Sequence, residues 1–300
     1  MKKIKLLILS IFTVVSTVYS QNAQPEYFRN AWQFGKLKGK VKSYTESNFD
    51  VDGMLLRRMT NNFDNTGNLI EEYFYNKNDI LQSREIYIYD TSDKIIERKK
   101  FNADGKLLHR KTGKFDNKGH IVEFRNSNSN AANILEIQFT CVNTYNDSDK
   151  IIEQTRYNSD GRKRSHSTYK YDINNNELES CEYDAKGVCS SKNIYLYKDK
   201  SIEFAYFYYN GKLSSTFKYD VQGNLIELIV FNEDNTIKFT DSYKYNDMGS
   251  LVETHQYGPD GSLVSKNIYK YDYLGNKIEC SQFVSECRKK YDVWQYEYYD

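Results

Sequence analysis

A glutamate recurs along most of this 300-residue chain at nearly constant intervals. The steps between successive copies are 26, 26, 30, 26, 24, 24, 26 and 26 residues. The nine positions are Glu71, Glu97, Glu123, Glu153, Glu179, Glu203, Glu227, Glu253 and Glu279. Repeats of this length are supersecondary units that stack on their neighbours, so the period constrains the architecture more than any single residue does.

Each repeat carries two turn signals about half a period apart. One type follows an aromatic residue, as in Tyr271-Asp272-Tyr273-Leu274-Gly275, and the other reads like Asn102-Ala103-Asp104-Gly105. Asn or Asp first and Gly last suits a type I turn closed by a glycine bulge. The stretch between two such turns has the length of one strand, so each repeat predicts a β-hairpin.

The sequence therefore predicts an all-β protein of about nine tandem β-hairpin units, each about 26 residues long. Twenty-eight tyrosines and sixteen phenylalanines beside two prolines agree with strands, because aromatic side chains fit a pleated, half-buried surface. About eighteen strands would follow one another as an antiparallel meander. An open sheet of that width does not stay flat, so we expect a coiled meander or spiral sheet.

A register follows from the glycine-bulge turns. It places Tyr245 opposite Leu251, Tyr243 opposite Glu253, and Tyr257 opposite Leu263 on one face. That face is the predicted core, with the repeated glutamates among tyrosine hydroxyls, and the opposite face carries Lys170, Lys218, Lys244 and Lys270. The glutamates have two interpretations: a structural role with Tyr, Ser or Lys on adjacent strands, or a stripe that binds cations or sugars.

The two ends of the chain depart from the repeat. Residues 1–20 have the basic start, short apolar run and small terminal residue of a secretory signal peptide, with cleavage expected after Ser20. Residues 21–38 carry no repeat signal and are interpreted as an N-terminal cap over an exposed sheet edge. The repeat domain spans 39–300, and its last segment, 294–300, is expected to supply the final strand or an edge left available to a partner.

Export places the protein in the periplasm, at the cell surface or outside the cell. Signal removal deletes three lysines, so 42 basic and 41 acidic residues become 39 and 41. This near-neutral balance gives no electrostatic footprint for nucleic acid. No later stretch approaches about 18 consecutive apolar residues, so no membrane span is expected after signal removal.

The five cysteines lie in the exported part, where disulfides are permitted. Cys181 and Cys189 flank one hairpin turn, and Cys280 and Cys287 flank another, so both pairs are candidate disulfides. Cys141 is left as the expected free thiol.

The pattern breaks most clearly at residues 126–133, where Asn and Ser replace the expected aromatic-turn sequence. Four extra residues separate the flanking glutamates there, which predicts a longer polar loop. Such a loop is a candidate for recognition, although surface loops also vary without function.

No constellation in the sequence predicts catalysis, a cofactor or a metal site. His109, His120, His166 and His255 lie in different repeats without metal-ligand spacing, and no metalloprotease, phosphate-loop, dinucleotide or serine-hydrolase motif is present. Nine equivalent carboxylates would share one environment, whereas catalytic pairs need unlike ones. The catalytic, cofactor-binding and metal site sets are therefore predicted to be empty.

The phrases Tyr269-Lys270-Tyr271-Asp272-Tyr273-Leu274-Gly275-Asn276 and Tyr219-Asp220-Val221-Gln222-Gly223-Asn224-Leu225 resemble the YD repeat of bacterial RHS-type and related cell-surface proteins. The likeness covers about residues 39–300. It implies a β-hairpin shell, used in that family to enclose toxins, display domains or bind carbohydrate. This chain is too short for a large closed cocoon and has no non-repeat C-terminal domain, so encapsulation is not expected to carry over.

The expected function is a non-enzymatic binding or scaffold role at the cell envelope, with a protein or polysaccharide partner. Exposed tyrosines that stack on sugar rings would favour the polysaccharide version. Two alternatives remain: an accessory shell or partner of a secreted effector, and an enzyme with a site that carries no recognised motif.

Overall fold

The computed structural model describes residues 37–130, 134–199, 201–284 and 287–299. These residues contain no helix that is long and apolar enough to cross a membrane. Twenty β-strands account for most of them: β1 (Val41–Asp50), β2 (Leu55–Phe63), β3 (Leu69–Tyr75), β4 (Leu81–Tyr89), β5 (Ile95–Asn102), β6 (Leu107–Phe115), β7 (Ile121–Ser129), β8 (Leu135–Tyr145), β9 (Ile151–Asn158), β10 (Lys163–Tyr171), β11 (Glu177–Asp184), β12 (Cys189–Lys198), β13 (Ser201–Tyr209), β14 (Lys212–Tyr219), β15 (Leu225–Phe231), β16 (Ile237–Tyr245), β17 (Leu251–Tyr257), β18 (Leu263–Tyr271), β19 (Lys277–Val284) and β20 (Cys287–Tyr298).

The strands form a closed antiparallel barrel. Every strand pairs with the next one in the sequence, and β20 returns to pair with β1 from Val41↔Tyr298 to Asp50↔Lys290. The expectation of an open coiled meander or spiral sheet is therefore wrong. An open sheet would leave β1 and β20 with unpaired N–H and C=O groups, and closure satisfies both edges at once.

Closure also corrects two smaller expectations. The barrel has twenty strands instead of about eighteen, because the nine repeats supply β3 to β20 and the segment before the first of them forms one additional pair, β1 and β2. Residues 294–298 do not form an edge available to a partner, because they pair with β1.

The turns confirm the predicted chemistry. In the turn after β2, the amide of Gly67 donates to the carbonyl of Asp64 (3.0 Å) and the amide of Asp64 donates to the carbonyl of Asn68 (2.9 Å). Gly67 has a φ of 89°, a left-handed conformation that glycine adopts without strain. Asp93 takes the equivalent position after β4 with a φ of 57°, where aspartate replaces glycine.

A bulge at each of these turns shifts the register by one residue. Tyr245 lies opposite Leu251 and Tyr257 opposite Leu263, as expected. Lys244, however, lies opposite Glu253, and Tyr243 lies opposite Thr254. The predicted pairing of Tyr243 with Glu253 is wrong because the bulge inserts one residue between Leu251 and Glu253, which moves the glutamate to the lysine face.

The two faces of the sheet differ in burial. We assign the more buried face to the inside of the barrel, because side chains crowd one another on a concave surface. This inner face carries three separate apolar clusters, centred on Leu228 and Phe217, on Ile121 and Phe124, and on Val41 and Phe63. Among the described residues, each strand makes most of its contacts with its two neighbours around the ring. Each cluster therefore packs along the wall of the barrel.

Tyrosine hydroxyls tie successive hairpins together. In each case a tyrosine donates to the backbone carbonyl of the first residue of an earlier strand, next to the bulge, over 2.6–3.1 Å. The bulge frees that carbonyl from the regular ladder, so the hydroxyl satisfies it. The pairs are Tyr89–Leu69, Tyr145–Ile121, Tyr171–Ile151, Tyr197–Glu177, Tyr245–Leu225, Tyr271–Leu251 and Tyr296–Lys277.

A polar network crosses the seam between β1 and β20. The indole N–H of Trp294 donates to Glu46 over 3.1 Å, and the amide of Asn48 donates to Asp292 over 2.5 Å. The ammonium group of Lys277 lies 4.0 Å from the centre of the Trp294 ring. Side-chain contacts therefore support the closing pair in addition to its backbone hydrogen bonds.

The predicted polar loop at residues 126–133 is wrong for its first half. Residues 126–129 belong to β7, where Asn126 lies opposite Phe139 and is buried. The extra residues lengthen the β7–β8 hairpin instead of forming a loop, because Asn and Ser alternate between the two faces as strand residues do. Residues 131–133 lie outside the described residues.

The signal peptide and most of the predicted cap also lie outside the described residues. Lys38 is described, and its backbone amide donates to the side-chain oxygen of Asn276 over 2.6 Å. Asn276 in turn donates to the carbonyl of Lys38 over 2.9 Å. Lys38 is thus held against the β18–β19 turn, and β1, the first strand of the described residues, is paired with β20 along its outer edge.

One of the two candidate disulfides forms. Cys181 and Cys189 are bonded across the β11–β12 turn, with a Cα–Cα distance of 6.2 Å. Cys280 and Cys287 are free, so that predicted pair is wrong. Cys280 lies opposite Asp292, five residues along β20 from Cys287, which separates the two thiols by roughly 16 Å. Cys141 is the expected free thiol and is buried.

Non-reducing peptide mapping tests this cysteine assignment. After denaturation and alkylation without reductant, Cys141, Cys280 and Cys287 should carry the alkyl group, because all three are free thiols. The peptides of Cys181 and Cys189 should remain linked. A linked Cys280–Cys287 peptide would contradict the assignment.

Tyr271→Phe removes one hydroxyl of the tyrosine series without changing the ring. It should lower the free energy of unfolding by about 1 kcal/mol, because the carbonyl of Leu251 loses its donor. Urea denaturation followed by circular dichroism measures the change. Tyr273→Phe is the matched control, since Tyr273 is 92% exposed two residues away and should show no change. Equal effects of the two variants would refute the role of the hydroxyl.

Candidate functional site

The repeated glutamates lie on the outer face, paired with basic residues. Lys170 and Lys192 contact Glu179 over 2.9 and 2.7 Å from the preceding and the following strand. Glu253 and Glu279 show the same arrangement with the cations on either side of them. The hydrogen bonds from Lys192 and Lys170 hold the pKa of Glu179 below its usual range.

This geometry corrects the expected position of the glutamates among tyrosine hydroxyls. Only one such contact involves the series within the described residues, between the hydroxyl of Tyr73 and Glu71 over 2.9 Å. The structural interpretation, with lysine as the main partner, agrees with the ion pairs. Exposed pairs of this kind contribute roughly 0–1 kcal/mol each, so they favour the register without forming a binding site by themselves.

A second charged group, which the sequence interpretation missed, lies on the inner face of β2–β7. Its members occupy two adjacent rows that run across the strands, one residue per strand in each row. We call this group the inner polar patch: Asn61, Glu72, Glu85, Lys100 and His109 form the first row, and Tyr87, Arg98, Lys111 and Asn126 form the second.

Ion pairs hold the centre of the inner polar patch. The carboxylate of Glu85 forms an ion pair with Arg98 and lies 3.2 Å from the ammonium group of Lys100. Glu72 accepts a hydrogen bond from the hydroxyl of Tyr87 and lies 3.9 Å from Arg98. Each carboxylate is therefore stabilised by a cation on the neighbouring or next strand, as buried charges require.

The carboxylates lie beneath the cations. The side chains of Glu85 and Glu72 are 7% and 15% exposed, whereas those of Arg98 and Lys100 are 26% and 38% exposed. A ring of twenty strands encloses more space than the side chains of its own wall fill. Within the patch, the cations are consequently more accessible from the interior than the carboxylates.

Burial shifts the protonation of several patch residues. It raises the pKa of Glu72, against the lowering effect of the Tyr87 hydrogen bond and of Arg98. Burial, with Arg98 nearby, lowers the pKa of Lys111 to about 8. The pKa of His109 is also lowered, first by burial and then by Lys111. Positive charge is thus crowded at the β5–β6 side of the patch.

Two amides at the margins of the patch have polar atoms without a hydrogen-bond partner among the described residues. Asn61 is 1% exposed and its Nδ2 atom is unpartnered, and Asn126 is 8% exposed with an unpartnered Oδ1 atom. A buried polar atom without a partner costs roughly 1–3 kcal/mol. A water molecule or another bound group would satisfy such an atom.

The sequence did carry a signal for this patch. Glu85, Tyr87, Arg98, Lys100 and Lys111 occupy alternate positions on adjacent hairpins, as residues on one face of a sheet do. The sequence interpretation assigns this face to aromatic residues, leucines and the repeated glutamates. Without the bulge register, the inward position of these charges could not be separated from the outer glutamate series.

The tyrosines offer less for recognition than expected. Tyr195 and Tyr219 are buried, and the tyrosines that end the strands use their hydroxyls on backbone carbonyls. Within the described residues, no group of three or more His, Cys, Asp or Glu side chains could hold a metal ion.

Comparison with known proteins gives only remote similarities. No protein family and no curated protein matches the sequence. Among solved structures, the Photorhabdus luminescens Tc holotoxin pore is 14% identical with a TM-score of 0.40, over 80% of this chain and 15% of that one. A porin-like protein from Bacteroides uniformis is 11% identical with a TM-score of 0.37, over 87% and 99% of the two chains.

A porin-like protein from Bacteroides vulgatus is 8% identical with a TM-score of 0.30, over 86% of this chain and 99% of that one. This chain spans about 15% of the length of the toxin chain. Similarities at these TM-scores carry no argument about activity or partners. The resemblance to YD repeats stays a prediction.

Glu85→Gln and Glu253→Gln compare the inner and outer carboxylates. Glu85→Gln should lower the free energy of unfolding by about 1.5–3 kcal/mol, because the buried carboxylate loses its charge-assisted contacts with Arg98 and Lys100. Glu253→Gln should cost less than about 1 kcal/mol, because its partners face solvent. Urea denaturation of both variants measures the difference, and equal effects would contradict the assignment of the two faces.

Proposed function

We propose that this chain is an exported, non-enzymatic protein of the cell envelope that binds a polysaccharide on the inner wall of its barrel. The observation that carries the proposal is the inner polar patch, in which cations lie above carboxylates at the barrel interior. Closure of the sheet removes the strand edges through which a protein partner would add a strand. That leaves the wall itself as the surface for recognition.

The contacts of the patch favour binding over catalysis. A general acid or nucleophile must reach the substrate, whereas Glu72 and Glu85 are both engaged by Tyr87, Arg98 or Lys100 and lie beneath the cations. The groups above them include the guanidinium of Arg98 and the amide of Asn126. These two groups bind and orient a ligand without taking or giving a proton at neutral pH.

Affinity electrophoresis tests this function. The purified protein should migrate more slowly in native gels that contain a polysaccharide than in plain gels, with pectate, alginate, dextran and mannan as the probes. No new reducing ends should appear when the protein is incubated with the retarding polysaccharide. Unchanged migration in every gel would refute binding, and release of reducing ends would refute the non-enzymatic role.

A further inference from the structure

We propose that two copies of this chain associate through the outer faces of β13–β16, related by a two-fold axis that runs between β14 and β15. The surface that forms the contact is uncharged and lies on neighbouring strands. We call it the outer apolar patch: Leu196, Phe204, Tyr206, Ile229, Phe231 and Ile237. This association is independent of saccharide binding, because the inner polar patch lies on the opposite face of the sheet.

A break in the outer ion-pair series creates the patch. At the β10–β11 turn, Lys170 lies opposite Glu179 and forms an ion pair with it. At the β12–β13 turn, Leu196 and Phe204 occupy the two matching positions. The repeated glutamate of this hairpin, Glu203, lies in the bulge next to Phe204 and has no opposite residue in the ladder. An apolar pair therefore replaces an ion pair on the outer face.

The uncharged surface continues across the next strands. Tyr206 lies opposite Thr216, and Thr216 lies opposite Ile229. The row that they form carries no charge from β13 to β15, whereas the matching row carries Lys99 on β5 opposite Arg110 on β6. Contiguous apolar surface on the outside of a protein marks a site of interaction.

The outer apolar patch is accessible and large enough for a small interface. Leu196 and Ile237 are 48% and 40% exposed, and Tyr206 and Ile229 are partly exposed. Four strands about 4.8 Å apart and about 27 Å long present on the order of 500 Å² in projection. Specific interfaces bury roughly 600–1,000 Å² on each partner, so this contact lies near the lower limit. We therefore expect a dimer that dissociates in the micromolar range.

Two charges beside the patch indicate that the partner is a second copy. Lys218 lies opposite Glu227, but neither forms an ion pair among the described residues. At the matching positions of the next hairpin, Lys244 and Glu253 do form one, over 3.4 Å. Opposite charges on either side of a two-fold axis are self-complementary, because each meets its counterpart on the other copy.

The axis between β14 and β15, parallel to these strands, satisfies the charges and the apolar row together. It brings Lys218 of each copy against Glu227 of the other. It also packs Ile229 of each copy against Thr216 of the other, since these two residues lie opposite each other in the ladder. The interface therefore has an apolar centre and two reciprocal ion pairs at one side, as specific interfaces do.

Sedimentation velocity of the full-length protein tests the association. The mass should rise from one chain to two as the concentration increases from about 1 to about 100 μM. The mass of one chain at every concentration would overturn the proposal. A mass that keeps increasing beyond two chains would also overturn it, because a two-fold interface closes on itself.

Ile229→Lys tests the apolar centre. The variant should fold, because β5 has Lys99 at the matching position, where it contacts Glu97 over 2.8 Å. The dissociation constant of the dimer should rise at least about tenfold, because association would bury an ammonium group. Val142→Lys is the matched control, since Val142 is 38% exposed on β8, away from the patch, and should leave the dimer unchanged. Equal effects of the two variants would overturn the interface.

An exchange of charges tests the axis. Lys218→Glu alone should weaken the dimer at least about tenfold, because two carboxylates would then face each other across the interface at both ends of the axis. Adding Glu227→Lys to that variant should restore the dimer, since each cation again meets an anion of the other copy. Circular dichroism of both variants checks that the barrel is retained. A single variant that dimerises normally, or a folded double variant that stays monomeric, would overturn the two-fold arrangement.

Discussion

The pairing of β1 with β20 is the constraint on which the rest of the structure depends. It converts twenty hairpin strands into a ring and gives every strand two neighbours. Without it, both terminal strands would expose a full row of backbone donors and acceptors. Closure also gives the sheet a concave side, and only then do the two faces acquire different environments. The network of Trp294, Glu46, Asn48 and Asp292 lies at this seam and is made by residues outside the regular repeat.

The bulged turn is the local feature that gives successive hairpins the same register around the ring. Each bulge frees one carbonyl at the start of a strand and shifts the following pairs by one residue. A tyrosine from a later hairpin satisfies that carbonyl, so the same aromatic position packs the wall and completes the backbone hydrogen bonds. The shift also places Glu253 opposite Lys244 on the outer face. One turn geometry therefore determines the core, the tyrosine contacts and the outer ion pairs together.

The sequence predicted what depends on neighbours along the chain. Asp-x-x-Gly signals located the turns, hairpin length followed from their spacing, and Cys181 was matched with Cys189 because one turn lies between them. Closure could not be predicted in the same way, because it depends on the twist accumulated over twenty strands and on residues about 250 positions apart. The inner polar patch was missed for a related reason: a one-residue register error exchanges the faces of every side chain beyond it.

The ion pairs of the inner and outer faces use the same residue types in different arrangements. On the outer face, cations bracket glutamates in a repeating series, so each charge is balanced within its own hairpin and the next. On the inner face, Arg98 lies opposite Lys111 in the ladder, and its guanidinium reaches Glu85 and Glu72 on the two preceding strands. One arginine therefore serves two buried carboxylates there, whereas two cations serve one glutamate on the outer face. Burial explains the difference, because a buried carboxylate without a cation costs far more than an exposed one.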